Sequence, residues 1–147
     1  MAQLDMFLKE TIPSRISAED AIARIKEQDG LVCIPHPFDT FRQSALTNSL
    51  TAGLIQQIDV IEIFNARSVF QRHSTRAQAF AEKYGIPGSA GSDAHTPREI
   101  GNAYVEMPNF KGKDDFIQAL KSGMIIGRKT NPLIHFGSAL TKVKKRF

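Results

Sequence analysis

Apolar residues along this chain follow two rhythms, and the rhythms alternate. Residues 4–8, 31–34, 59–64 and 87–90 are short runs of apolar or small side chains, the length and texture of buried strands. Between them, apolar positions recur every three or four residues, as on one face of a helix. Ser17 is a good N-cap, followed by Glu19 and Asp20, which suit the positive end of a helix dipole. Ala21, Ile22 and Ile25 then form a stripe, and Asp29-Gly30 ends it. Residues 31–34 are wholly apolar, as expected of a parallel strand covered on both faces. Residues 42–57 read as helix, interrupted near Thr51 or Gly53. Residues 59–64 are apolar except for Glu62. The strongest helical pattern spans 68–84, with Phe70, Ala77, Phe80, Ala81 and Tyr84 as its apolar face and Gly85-Ile86-Pro87 as its stop. A period-2 strand at 102–107, a helix at 113–121 on Phe116, Ile117 and Leu120, and a last strand at 124–127 complete the pattern. Strand and helix in strict alternation predict a parallel α/β fold with crossover helices.

Composition narrows this picture modestly. A chain of 147 residues with 41% apolar content suits a single domain with a real core. No apolar run is long enough to span a bilayer, so no membrane association is expected. The opening residues lack a signal-peptide pattern, which makes the cytoplasm the default location. The one cysteine, Cys33, excludes an internal disulfide, and its apolar surroundings predict a buried, inert thiol. Net charge is +4, and Lys142, Lys144, Lys145 and Arg146 cluster at the end of the chain. That cluster reads first as a solvated tail. Its other reading is a patch for phosphate or nucleic acid, weakened by the absence of interleaved aromatics.

The chemistry concentrates where the predicted strands end, the usual location of function in parallel α/β folds. The first such end gives His36, between Pro35 and Pro37. The next gives Glu62 and Asn65, and the third gives Asp93 and His95 within Gly91-Ser92-Asp93-Ala94-His95. Two residues apart on extended chain, Asp93 and His95 can face one side, and both are common metal ligands. Each residue also has an ordinary reading. His36 is compatible with a loop role, Asp93 with a helix or turn cap, and His95 with a turn cap. Glu62 is costly to bury unless paired, with Arg42 or Arg67 as candidate partners. His73, beside Gln71, Arg72 and Arg76, reads as part of a solvated helix face, and His135 as structural.

Three segments, Gly30-Leu31-Val32-Cys33-Ile34-Pro35-His36-Pro37-Phe38-Asp39, Val60-Ile61-Glu62-Ile63-Phe64-Asn65-Ala66-Arg67 and Ala90-Gly91-Ser92-Asp93-Ala94-His95, resemble the later motifs of PHP (polymerase and histidinol phosphatase) domain phosphoesterases. Ile100-Gly101-Asn102-Ala103-Tyr104-Val105 and Leu120-Lys121-Ser122-Gly123 resemble the family's carboxy-terminal region. The resemblance implies a distorted (α/β)7 barrel around two or three metal ions, zinc, manganese or iron. It implies His36, Asp93 and His95 as metal ligands. Glu62 and Asn65 become supporting or substrate-contacting residues, and Arg42 and Arg67 candidates for phosphate oxygens. The family's opening His-x-His motif and its other early ligands are absent. The expected fold is therefore a partial barrel lacking its early strands: one domain over residues 1–147, with a barrel portion to about residue 100 and a PHP-associated region from 101. The expected function is metal-dependent hydrolysis of a phosphate ester (a nucleotide, an oligonucleotide or a small phosphomonoester), with this chain a truncated, weakly active or inactive portion holding its metals incompletely. The alternative is a non-catalytic metal-binding or interaction module. An open sheet edge predicts self-association, and a nucleic-acid role has only the basic tail in its favour.

Overall fold

The computed structural model describes residues 4–39 and 51–130. The elements follow in the order β1 (Leu4–Met6), α1 (Ala18–Glu27), β2 (Leu31–Ile34), α2 (Ala52–Ile55), β3 (Val60–Asn65), α3 (Gln71–Tyr84), β4 (Gly88–Gly91), β5 (Ala103–Glu106), α4 (Gly112–Lys121) and β6 (Met124–Gly127). A single 3-10 turn, Pro97–Glu99, lies between β4 and β5.

Local sequence chemistry accounts for the helix ends. The Ser17 hydroxyl accepts from the Asp20 amide at 3.0 Å, capping α1, and Ala21, Ile22 and Ile25 are its buried stripe. Helix α3 stops at Gly85, whose φ of 66° is left-handed, and the Ile86 amide returns to the Ala81 carbonyl. The helix begins at Gln71, later than its pattern suggested. Phe70 and Tyr84 remain substantially exposed, while Ala77 and Ala81 are buried as expected.

Strands β1 to β4 form one sheet in that order, and β5 and β6 form a separate antiparallel pair. β2, β3 and β4 run parallel, but β1 is antiparallel to β2, with Met6 opposite Leu31. That corrects the expectation of four parallel strands. The helical pattern between β1 and β2 does not force a parallel crossover, because an edge strand accepts a partner in either direction. The structure is mixed α/β, and no closed barrel is seen among the described residues. Of the helix expected over 42–57, residues 40–50 lie outside the described residues, and α2 is the described remainder. No helix among them is long and apolar enough to cross a membrane.

The centre of the sheet is covered on both faces. Val32 and Ile34 of β2 and Ile61 of β3 join Ile22, Ile25, Leu54, Ile58 and Ala81 in one core beneath the helices. Leu31, Cys33 and Val60 point the other way, against Phe116 and Leu120 of α4. The two sets interleave with the period of two that a strand imposes. Cys33, 1% exposed, is the buried thiol expected.

Candidate functional site

The three parallel strands end on one side of the sheet, and their ends carry the candidate residues. Regular alternation would put Glu62 and Asn65, three positions apart, on opposite faces. The register between β3 and β4 slips between Glu62 and Phe64, and the strand bends there. Asn65 Nδ2 consequently donates to Glu62 Oε2 at 3.0 Å, and more weakly to Asp93 Oδ2 at 3.4 Å. Glu62 Oε2 also accepts the His36 amide at 2.6 Å. One buried carboxylate thus joins the turn after β2 to the end of β3. Gly91 of β4 makes room for it, since a Cβ there would collide with Glu62 Oε1. Of the two partners considered for Glu62, Arg67 pairs with Glu99, and Arg42 lies outside the described residues.

His36 and Asp93 have positive φ values, 31° and 49°. Non-glycine residues seldom adopt this conformation, and it costs about 1–3 kcal/mol where they do. Both sit where a strand hands over to a loop, and both present side chains to the same space. His36, Glu62, Asn65 and Asp93 form the polar end of a cavity of about 490 Å³ between the sheet, β5 and α4. The rest of the lining is mainly apolar and includes Cys33 and Phe116.

His95 is not part of that wall. Its Nδ1 lies 2.8 Å from the Asp93 carbonyl oxygen and 3.8 Å from Asp93 Oδ1. A carbonyl can only accept, so in the neutral ring Nδ1 carries the proton and Nε2 keeps the lone pair. The side chain is about one-third exposed, at 34%, leaving that nitrogen accessible. Among the described residues no group of three or more His, Cys, Asp or Glu side chains is arranged to hold a metal ion.

Arg67, a candidate for phosphate contact, is buried instead. Its guanidinium meets the carboxylate of Glu99, with side chains 3% and 1% exposed. Glu99 also accepts from the His95 amide at 3.0 Å, the Thr96 amide at 2.8 Å and the Thr96 hydroxyl at 3.0 Å. Burial works to raise the Glu99 pKa, but these hydrogen bonds and the arginine charge outweigh it and hold it below 4.5. The sequence reading passed over Glu99. Its signal was the spacing Thr96-Pro97-Arg98-Glu99, a capping box with proline at the first helical position.

His73 is also a correction. It is 5% exposed, not solvated, because it lies four and eight residues before Ala77 and Ala81 on the buried face of α3. Burial, reinforced by Arg72, Arg76 and Lys129 against the opposing pull of Asp39, lowers its pKa and keeps the ring neutral. Lys129, likewise unforeseen, brings its ammonium 3.1 Å from the Asn65 carbonyl and 3.5 Å from the Ser74 hydroxyl. Desolvation lowers its pKa while Glu62 pulls it up. His135 and the basic tail lie outside the described residues.

Residues 71–125 match the family model described as PHP-associated. An uncharacterized protein of Methanocaldococcus jannaschii, MJ0417, is 34% identical over 95% of this chain and 60% of its own length. A second from that organism, MJ1587, is 38% identical over 43% of this chain and 34% of its own. The chain therefore spans about 60% of the first of these relatives. The solved structure of PsfC from Pseudomonas syringae PB-5123 superposes with a TM-score of 0.61 at 16% identity, covering 97% of this chain and 65% of that one. A two-domain protein of Bacteroides vulgatus, described as containing a predicted PHP-like metal-dependent phosphoesterase, gives a TM-score of 0.60 at 17% identity, covering 83% and 39%. These superpositions show a shared fold.

Proposed function

We propose that this chain, which belongs with the PHP-related proteins, is the carboxy-terminal portion of a metal-dependent phosphoesterase domain. The observation that carries the reading is convergence: His36, Glu62, Asn65 and Asp93 meet on one cavity at the carboxyl ends of three parallel strands. In this reading the four-stranded sheet is an arc of the distorted barrel, one domain spans the chain, and β5, α4 and β6 are its PHP-associated part.

The donor chemistry suits a divalent transition metal, zinc, manganese or iron, because neutral imidazole and carboxylate bind all three. The donors among the described residues do not close a site. His36, Asp93 and His95 would supply part of the coordination, leaving the rest to groups outside the described residues. A bound metal would polarise a phosphoryl oxygen and activate water at neutral pH. Glu62 fixes the His36 backbone, Asn65 ties Glu62 to Asp93, and Glu99 holds the His95 backbone. Arg67 serves by anchoring Glu99 rather than by touching substrate. Substrate would be a phosphate ester entering the 490 Å³ cavity, whose size admits a nucleotide or a small phosphomonoester. Self-association across the sheet edge and nucleic-acid binding find no support among the described residues.

The test is manganese binding, measured by elemental analysis of desalted protein, with hydrolysis of a chromogenic phosphoester alongside. The reading expects bound manganese that is lost in Asp93→Ala. Equal binding by parent and variant would overturn it. A second reading, a metal-binding module without turnover, is favoured by the lack of three gathered donors among the described residues. Binding without hydrolysis by the full chain would select it.

A further inference from the structure

Behind the polar end of the main cavity lies a narrow crevice of about 10 Å³, lined by His36, Asp39, Glu62, Asn65 and His73 among others. Its size suits one water molecule. His73 is buried, and its Nε2 has no hydrogen-bond partner among the described residues. The other ring nitrogen is anchored: Nδ1 lies 3.3 Å from Ser68 Oγ. The Ser68 hydroxyl has one proton, directed at the Phe70 carbonyl at 3.5 Å. Its lone pair is thereby left to accept from Nδ1–H. In that tautomer Nε2, buried in a residue that lines the crevice, carries a lone pair.

A buried lone pair calls for a donor. His36, Pro37, Phe38 and Asp39, the turn that presents His36, form part of the crevice wall. This turn is closed by the Asp39 amide donating to the His36 carbonyl at 3.1 Å, and it contains the strained φ of His36. Such a conformation persists only where its surroundings hold it.

We propose that His73 is a positioning residue for the His36 turn, acting through one buried water that donates to His73 Nε2 and to the Asp39 carboxylate. A carboxylate has several acceptor directions, so Asp39 takes this bond in addition to any other. Asp39, Arg72, Arg76 and Lys129 are the charges acting on His73, and their balance with burial leaves the ring neutral, as an accepting Nε2 requires. The consequence for metal affinity rests on His36 being a metal-side residue. The coupling of His73 to the turn does not.

The experiment is nuclear magnetic resonance on the metal-free full chain with ¹⁵N-labelled histidine, followed by Mn²⁺ titration. The parent is expected to show a protonated Nδ1 and an accepting Nε2 in His73, with magnetisation transfer from a long-lived water to its ring protons. In His73→Leu the His36 signals shift and Mn²⁺ binds about tenfold more weakly. His73→Gln, whose amide reaches the Nε2 position, restores both. If His73→Leu does not fold, the parent tautomer and His73→Gln carry the test. An Nε2–H tautomer, no bound water, or unmoved His36 signals in His73→Leu would overturn the proposal. His36→Ala is the separating control: unchanged Mn²⁺ affinity there overturns the metal reading of His36 and leaves the histidine–turn coupling to the spectra.

Discussion

Two loops present the candidate metal residues, and they are held by different means. The loop after β4 is fastened from within: the Glu99 carboxylate, 1% exposed, binds the His95 and Thr96 amides and is itself neutralised by Arg67. The turn after β2 is fastened from outside, by the Glu62 carboxylate of the neighbouring strand on the His36 amide. The first arrangement survives changes elsewhere as long as its ion pair is intact. The second depends on the register of β3 against β4 and on the empty Cα face of Gly91. Rigidity in the one loop is local, and in the other it is borrowed from the sheet.

The largest effect should come from breaking the internal fastening. Glu99→Ala takes a carboxylate from the buried Arg67 guanidinium and releases three loop hydrogen bonds, so stability should fall by about 3–5 kcal/mol in urea unfolding. The double variant Arg67→Met, Glu99→Gln removes the buried arginine charge and keeps an acceptor for the loop. It should be clearly more stable than Glu99→Ala, and equal losses would mean that the pair itself contributes little.

The external fastening should be weaker and should show coupling between strands. Glu62→Ala is expected to cost about 2–3 kcal/mol, since a charge-assisted bond to the His36 amide and the partner of Asn65 are lost together. Gly91→Ala should cost about 1–3 kcal/mol by crowding the Glu62 carboxylate. Combined, the two should cost less than their sum, because the collision disappears with the carboxylate. Strict additivity in the double-mutant cycle would count against Gly91 serving as the space for Glu62.

Acid separates the two regions by pH. The His73 pKa is below its usual 6.5 in the folded chain, so the unfolded chain binds the extra proton first. The stability this contributes is complete above pH 6.5 and declines as pH falls below it. The Glu99 pKa is held below 4.5, so its contribution is complete above that pH and is lost further down, as pH falls through the folded value. Urea midpoints should therefore fall in two stages, with the upper stage missing in His73→Gln. The smallest effect is expected from Lys129→Met, which removes hydrogen bonds to the Asn65 carbonyl and Ser74 hydroxyl but also relieves a desolvated charge. A loss of about 0.5–1 kcal/mol is expected by the same urea measurement.

Much of this was legible in the residues. Ser17, the stripe of α1, the two-faced burial of β2 and the stop at Gly85 are local matters, fixed by neighbours within a turn or a strand. The placement of His36, Glu62, Asn65 and Asp93 at strand ends followed from alternation of elements. The antiparallel β1, the separate β5–β6 pair, the approach of Arg67 to Glu99 and the burial of His73 were not legible in the same way. Arg67 and Glu99 are 32 positions apart, and β1 pairs across an intervening helix. Periodicity tells which face of an element is apolar, but not which element will cover it or from which direction. The residue sequence thus determined the elements and the chemistry at their ends. Only the tertiary structure decided which charges meet and which polar atoms are buried, because those depend on distances that close when separate elements pack.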